Sequence, residues 1–254
     1  MGIPNSPILT IRQRNPSEGS LKLYYHPVST TCRPIMLFAA ESGIKLDYEL
    51  VDLFTGAHYK PEFTAVNPSR QVPVLDDGDF RLTESSAILK YLADKVNSPA
   101  YPTDPKKRAR VNERMDWFNT GFYRDYSYGY IYPQIFPFMK REDERVQAGT
   151  VAYGCAKAQG WLKVLDQSIL GPNNRFVCGN DITLADYLGS MMVLSAEAIG
   201  CDFSGYPNIN RWMATMKSLK SWQQVNGAFY QYVVEPNKGQ SFVSFNEKKQ
   251  AVPA

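Results

Sequence analysis

The sequence predicts a small α/β domain followed by an all-α domain, on three observations. Strand and helix patterns alternate over residues 21–98, a proline-bearing linker spans 97–104, and beyond it apolar residues recur almost wholly at helical spacing. Leu21–Tyr25 reads as a short strand, closed by His26-Pro27. Residues 31–42 follow as a helix. Ile35, Leu37, Phe38 and Ala39 are its apolar positions, Pro34 falls in its first turn and Gly43 is its stop. Residues 47–53 form a second strand, and a short helix separates it from the third. Segments 72–75 and 80–83 flank Asp76-Asp77-Gly78-Asp79, whose Asp-Gly marks a hairpin turn. A closing helix then sets Ile88, Leu92 and Val96 four residues apart on one face. This order describes a mixed sheet covered by helices.

In the second domain Pro105 opens a long helix over roughly 105–130. A second helix over about 142–170 carries Ala158, Trp161, Leu162, Leu165 and Ile169 on one stripe. A third begins at Thr183, with Leu184, Tyr187, Leu188, Met191 and Met192 at helical spacing. Thr183-Leu184-Ala185-Asp186 reads as a capping box in which aspartate replaces the usual Glu or Gln, with Ile182 and Tyr187 at the staple positions. Shorter helices are expected over 207–218 and 219–230. The expected domains are 21–98 and 104–232, flanked by a flexible leader at 1–20 and a polar tail at 233–254.

Composition excludes several classes. The 254 residues are 44% hydrophobic and 21% charged, which is ordinary globular usage. A net charge of +3 without a dense Lys/Arg stripe gives no footprint for nucleic acid. No apolar run approaches the roughly 18 residues of a membrane span. Cys32, Cys155, Cys178 and Cys201 are too scattered for a metal motif and too few for a disulfide scaffold, so neither is expected. A cytoplasmic protein without a metal is the expectation.

Four features of the first domain carry chemistry together. Ser29-Thr30-Thr31-Cys32-Arg33 lies between strand one and helix one, and Ser29…Cys32 reproduces the C-x-x-C spacing of thioredoxin-like redox proteins with serine in the attacking position. Serine forms no disulfide, but its hydroxyl and the N–H groups at the helix terminus suit a ligand's thiolate. Val72-Pro73, if cis, turns the Val72 backbone toward a peptide ligand. In Thr83-Glu84-Ser85-Ser86, Ser85 and free N–H groups can take a carboxylate and Glu84 an ammonium. Gly56-Ala57-His58-Tyr59-Lys60 offers cationic donors to a second carboxylate. A thiol, an amino-acid end and a further carboxylate together describe glutathione.

These passages resemble the cytosolic glutathione transferases, nearest the theta-like serine class and the related bacterial dichloromethane dehalogenase-type enzymes. The resemblance rests on Ser29 to Arg33, on 52–58, on Asn67-Pro68 with Gln71-Val72-Pro73-Val74-Leu75, on 77–89 and on 176–186, over about 21–220. It implies a thioredoxin-like N-terminal domain, an all-helical C-terminal domain, glutathione as co-substrate and a dimer of identical or related chains. It also implies that Ser29 bonds the glutathione sulfur, that Val72 precedes the cis-proline Pro73, and that Glu84 and Ser85 hold the γ-glutamyl end. His58 would contact the glycyl end, with Arg70 or Gln71 beside it. Tyr59 stands where relatives often carry lysine, with Lys60 one place later. The aromatic run from Trp117 to Phe138 overlies the sulfur site in the family, and Tyr123, Arg124 and Tyr126 are the expected electrophile pocket.

A free thiol near 8.5 is only about 3% ionised at pH 7. Lowering its pKa by about two units makes roughly three-quarters of it thiolate, a ~25-fold gain worth ~2.7 kcal/mol. The expected activity is attack by that thiolate on an apolar, halogenated or aromatic electrophile, whether by conjugation, dehalogenation or aryl-ether cleavage. Reduction of organic hydroperoxides and a non-catalytic interaction role are the alternatives. Cys32 as nucleophile, and Tyr24 or Tyr25 as hydroxyl donor, compete with Ser29.

Overall fold

The computed structural model describes residues 20–246; the expected leader, apart from Ser20, and the last eight residues of the expected tail lie outside them. Strand β1 (Leu21–Tyr25) leads through the Ser29 turn into helix α1 (Arg33–Ser42), which ends on Gly43 at φ +69°. That left-handed conformation suits a residue without Cβ. Strand β2 (Leu46–Leu50) is shorter than predicted, because residues 51–60 turn away through Asp52, whose carboxylate accepts from the Phe54 and Thr55 N–H groups. A short α2 (Pro61–Thr64) precedes the hairpin of β3 (Val74–Asp77) and β4 (Phe80–Thr83), and α3 (Ser85–Lys95) closes the unit.

The sheet order is β2-β1-β3-β4, with β1 and β2 parallel and the other pairs antiparallel. A parallel pair needs a crossover, and α1 supplies it. Pro73 stands just before β3, so its missing N–H costs the ladder no bond. Leu23 and Leu75 are buried with Ile35, Leu37 and Phe38 of α1 and Ile88, Leu89 and Leu92 of α3.

The helical part begins with α4 (Pro105–Trp117), capped by Asp104, whose carboxylate accepts from the Lys107 N–H. The helix does not stop at 130. It continues through 118–131 with widened turns, in which Tyr123 N–H bonds the Phe118 carbonyl and Tyr132 N–H bonds that of Ser127, five residues back, and then becomes α5 (Tyr132–Ile135). Helix α6 (Glu144–Val164) crosses this segment so closely that a Cβ on Gly154 would lie 2.1 Å from the Gly129 carbonyl oxygen. Glycine is required there by the approach of two backbones.

Helix α7 (Leu184–Leu194) is buried on all sides at the centre of the molecule, with α8 (Pro207–Lys217), α9 (Trp222–Phe229) and the short α10 (Glu235–Asn237) completing the domain. The capping box forms as expected: Asp186 accepts from the Thr183 N–H at 2.8 Å and the Thr183 hydroxyl at 2.9 Å. The segment after 233 is not uniformly polar in its packing. Phe245 is buried beside Tyr126, Tyr130, Phe203 and Tyr206, and the Tyr130 hydroxyl donates to the Val243 carbonyl at 2.8 Å. A few apolar side chains among polar neighbours are enough to return it to the core.

Candidate glutathione and electrophile site

Ser29 lies in the turn between β1 and α1, half-buried. Its Oγ accepts from the Thr31 and Cys32 N–H groups, both at 3.3 Å, so it caps the first turn of the helical segment. The Thr31 hydroxyl donates to the Val72 carbonyl at 3.1 Å, which commits its only proton. The 3.1 Å contact between the two hydroxyls therefore has Ser29 as donor. A thiolate is a stronger acceptor than a neutral hydroxyl and can take that proton in its place.

The Val72-Pro73 bond is cis. A groove there is lined by Thr31, Gln71, Val72, Pro73, Thr83, Glu84 and Ser85, so the structure brings five of the expected residues to one place. Glu84 precedes α3 with φ +67°, a conformation costly for a side-chain-bearing residue. Arg70 also has positive φ, at +56°, and its guanidinium lies 5.9 Å from the Tyr59 ring. His58 stacks on the same tyrosine at 4.0 Å, and its buried Nδ1 has no hydrogen-bond partner. Burial lowers its pKa. His58 and Arg70 thus meet at the Tyr59 ring, Arg70 being next in the chain to the groove's Gln71, and Lys60 is exposed.

His26 closes β1 and is 5% exposed. Its Nδ1 accepts from the Val28 N–H, and Nε2 lies 3.8 Å from the Asp52 carboxylate. Burial outweighs the attraction of Asp52 and holds the imidazole down to about 4, so it is neutral at pH 7. The unfolded chain takes up this proton near 6.5, the folded chain only near 4. Stability is therefore complete above the unfolded value and falls as pH drops through that window. Melting curves between pH 7 and 4 are expected to show the decline, with a shallower slope in His26→Gln; an equal slope in the variant would exclude His26 as its source.

The expected pocket residues divide. The Tyr123 hydroxyl lies 3.0 Å from that of Tyr132, which donates at 2.8 Å to the Thr30 hydroxyl, one residue from Ser29. Tyr126 is not part of the site. It is fully buried, donates to the Val193 carbonyl at 3.0 Å and stacks on Phe122. Arg124 points to solvent and pairs with the Asp125 carboxylate at 2.8 Å. The widened turns explain both corrections. Phe118, Phe122, Tyr126 and Tyr130, four apart, take the core face, while the five-residue step aligns Tyr123 with Tyr128, and Tyr132 and Phe136 continue that line. Thr30 and Tyr132 lie within the Ser29–Arg33 motif and the aromatic run, but the sequence singled out neither, and the hydrogen bond between them joins residues 102 positions apart.

The competing roles fall away. Cys32 is fully buried and its thiol is pushed up to about 11, so it holds no thiolate at pH 7. Tyr25 packs on Tyr48 and Tyr24 on Phe63, and burial raises both hydroxyls. A larger cleft between Gln159, Lys163, Asp166 and Phe245 contains no residue of this constellation. Among the described residues no cluster of three His, Cys, Asp or Glu side chains is placed to hold a metal.

A two-domain chain with this sheet, this cis-proline groove and this serine turn belongs to the glutathione S-transferase family. The family models for its N-terminal and C-terminal domains match residues 19–94 and 134–220. Among individual relatives, glutathione S-transferase theta-1 of Homo sapiens is 36% identical over 195 residues, covering 76% of this chain and 80% of that protein. Human glutathione transferase theta-2, solved in complex with glutathione, superposes with a TM-score of 0.77 at 28% identity, covering 89% of this chain and 93% of that one. A delta-class glutathione transferase of Nilaparvata lugens superposes at 0.68 with 34% identity, covering 83% and 97%. The theta-like resemblance carried by the motifs therefore holds, and the chain is a glutathione transferase enzyme with glutathione as co-substrate.

Proposed function

We propose that the chain joins glutathione to an apolar electrophilic carbon, with Ser29 holding the sulfur as thiolate. One observation carries this reading: beside the Ser29 turn a groove gathers Gln71, Val72, Glu84 and Ser85, while the turn's Thr30 meets a line of aromatic rings through Tyr132. The Val72 N–H makes no hydrogen bond within the described residues and is the donor for the tripeptide's central backbone. Glu84 takes the ammonium, and Ser85 with the first N–H groups of α3 takes the γ-glutamyl carboxylate. His58, through its unpartnered Nδ1, takes the glycyl carboxylate, with Arg70 and Gln71 alongside.

The thiolate attacks the electrophilic carbon. The S–C bond forms, the bond to the leaving group breaks, and that group departs with the electron pair. Tyr123, Tyr128, Tyr132 and Phe136 supply aromatic faces, with the Tyr123 and Tyr132 hydroxyls beside Thr30, which suits a flat aromatic or a halogenated carbon. A dimer and a cytoplasmic location complete the reading and rest on the family. No described helix is long and apolar enough to cross a membrane.

Incubation with chloro-aromatic compounds, alkyl halides and organic hydroperoxides, with mass detection of the glutathione adduct, tests the reading. Adducts with the halogenated compounds are expected. Hydroperoxide turnover without any adduct assigns the site to peroxide reduction, and failure to be retained on immobilised glutathione assigns the chain a non-catalytic role.

A further inference from the structure

Arg33 begins α1, and its side chain is wholly buried where the two domains meet. A buried guanidinium is ordinarily matched by a carboxylate, because an unpaired charge away from water is costly. Its partners here are neutral. Nη1 donates to Asn226 Oδ1 at 2.7 Å and approaches the Met191 sulfur at 3.7 Å, while Nε reaches the Ser29 carbonyl at 3.4 Å. The Phe229 ring covers one face at 4.1 Å, and Nη2 has no hydrogen-bond partner among the described residues.

The titratable groups facing Arg33 are Tyr123 and Tyr132 from the widened helix, Tyr230 beyond α9, and Cys32 in its own turn. Burial raises each of these, so all are uncharged at pH 7. Arg33 itself is lowered by burial only to about 10 and stays charged. The fold therefore keeps one full positive charge, bonded to the backbone of Ser29, with no anion beside it among the described residues.

We propose that the missing anion is the ligand's sulfur: Arg33, held by the neutral amide of Asn226, supplies the field that keeps the bound thiol ionised at Ser29. The inference rests on the reading that glutathione places its sulfur there. The step is an ionisation, in which the S–H bond breaks, its electron pair stays on sulfur and the proton leaves to water. Ser29 supplies the local hydrogen bond and Arg33 the charge. Through a medium of effective dielectric near 20, one charge about 12 Å away moves the thiol's midpoint by about one pH unit, and a nearer one moves it by more.

Asn226→Asp tests this without touching Ser29 or Arg33. The carboxylate keeps the amide's shape and neutralises the guanidinium, while Asn226→Leu removes the acceptor without adding charge. The readout is the pH midpoint of the ultraviolet thiolate band of bound glutathione, with affinity for S-methylglutathione as control. Asn226→Asp is expected to raise the midpoint by about one pH unit, a tenfold loss of thiolate where the thiol is mostly protonated, and Asn226→Leu to leave it within a few tenths.

Unchanged S-methylglutathione affinity with an unmoved midpoint in Asn226→Asp would overturn the role of Arg33 and leave the binding reading intact. No binding of either compound by the unmodified protein would overturn the binding reading itself. A second measurement needs no variant: the unmodified protein is expected to bind glutathione sulfonate, charged at the sulfur, about tenfold tighter than S-methylglutathione, and equal affinities would refute the proposal.

Discussion

Replacing Ser29 with alanine is expected to lower turnover by about one to three orders of magnitude while glutathione still binds. The hydroxyl is the only donor on that side chain, and a hydrogen bond to a charged acceptor is worth about 1.5–3 kcal/mol. Loss of that amount moves the thiol's pKa up by roughly one to two units and reduces the thiolate at neutral pH accordingly. Binding is expected to survive because, in the proposed reading, the tripeptide's two ends are held elsewhere, at Glu84 and Ser85 and at His58. The fold survives as well. Ser29 supports the turn before α1 only through two long contacts of 3.3 Å, so the cost falls at the low end of about 0.5–2 kcal/mol. Steady-state turnover and the ultraviolet thiolate band measure the two quantities separately. Unaltered turnover with an unaltered band would exclude Ser29 as the sulfur's donor.

The largest effect on stability is expected at Asp186, far from that chemistry. Its carboxylate is fully buried and accepts four hydrogen bonds: from the Thr183 N–H and hydroxyl, the Val177 N–H and Trp212 Nε1, at 2.8–2.9 Å. One side chain thereby ties the 176–179 turn, the start of α7 and the middle of α8 together. Burial pushes the carboxyl up to about 6, and the four donors oppose that rise. Alanine removes the acceptor and leaves the donors buried without partners, a loss of about 3–5 kcal/mol. Asparagine keeps one oxygen for one pair of donors but turns its amide group toward the other, so it is expected to lose about half as much. Denaturant unfolding of the three proteins decides the matter, and an alanine variant within about 1 kcal/mol of the original would refute it.

Much of this architecture was legible in the chain because its signals are local. The Asp-Gly turn, the stop at Gly43, the prolines that open helices and the Thr183 box each act within a few residues, and each stands where its pattern put it. The groove's position was legible for the same reason, since Val72 lies just before β3 and Glu84-Ser85 opens α3.

The electrophile side was only partly legible. Ordinary helical spacing cannot separate Tyr123 from Tyr126, and the widened turns that do so have no distinct signature in residue type. Nor does Arg33 announce itself. In the sequence it is a basic residue opening an apolar helix, and its partner Asn226 lies 193 positions further on. The return of Phe245 to the core is hidden by its polar neighbours.

The wider winding between Trp117 and Tyr132 gives the molecule a freedom that a regular helix would deny it. Two sets of aromatic rings ride on one rod, set apart by a single five-residue step, one serving the interior and one, in the proposed reading, the mouth of the cleft. Rings on the mouth can be exchanged to change what is admitted without disturbing the rings that hold the rod in place. Substrate range and fold stability are, along this stretch, separately adjustable.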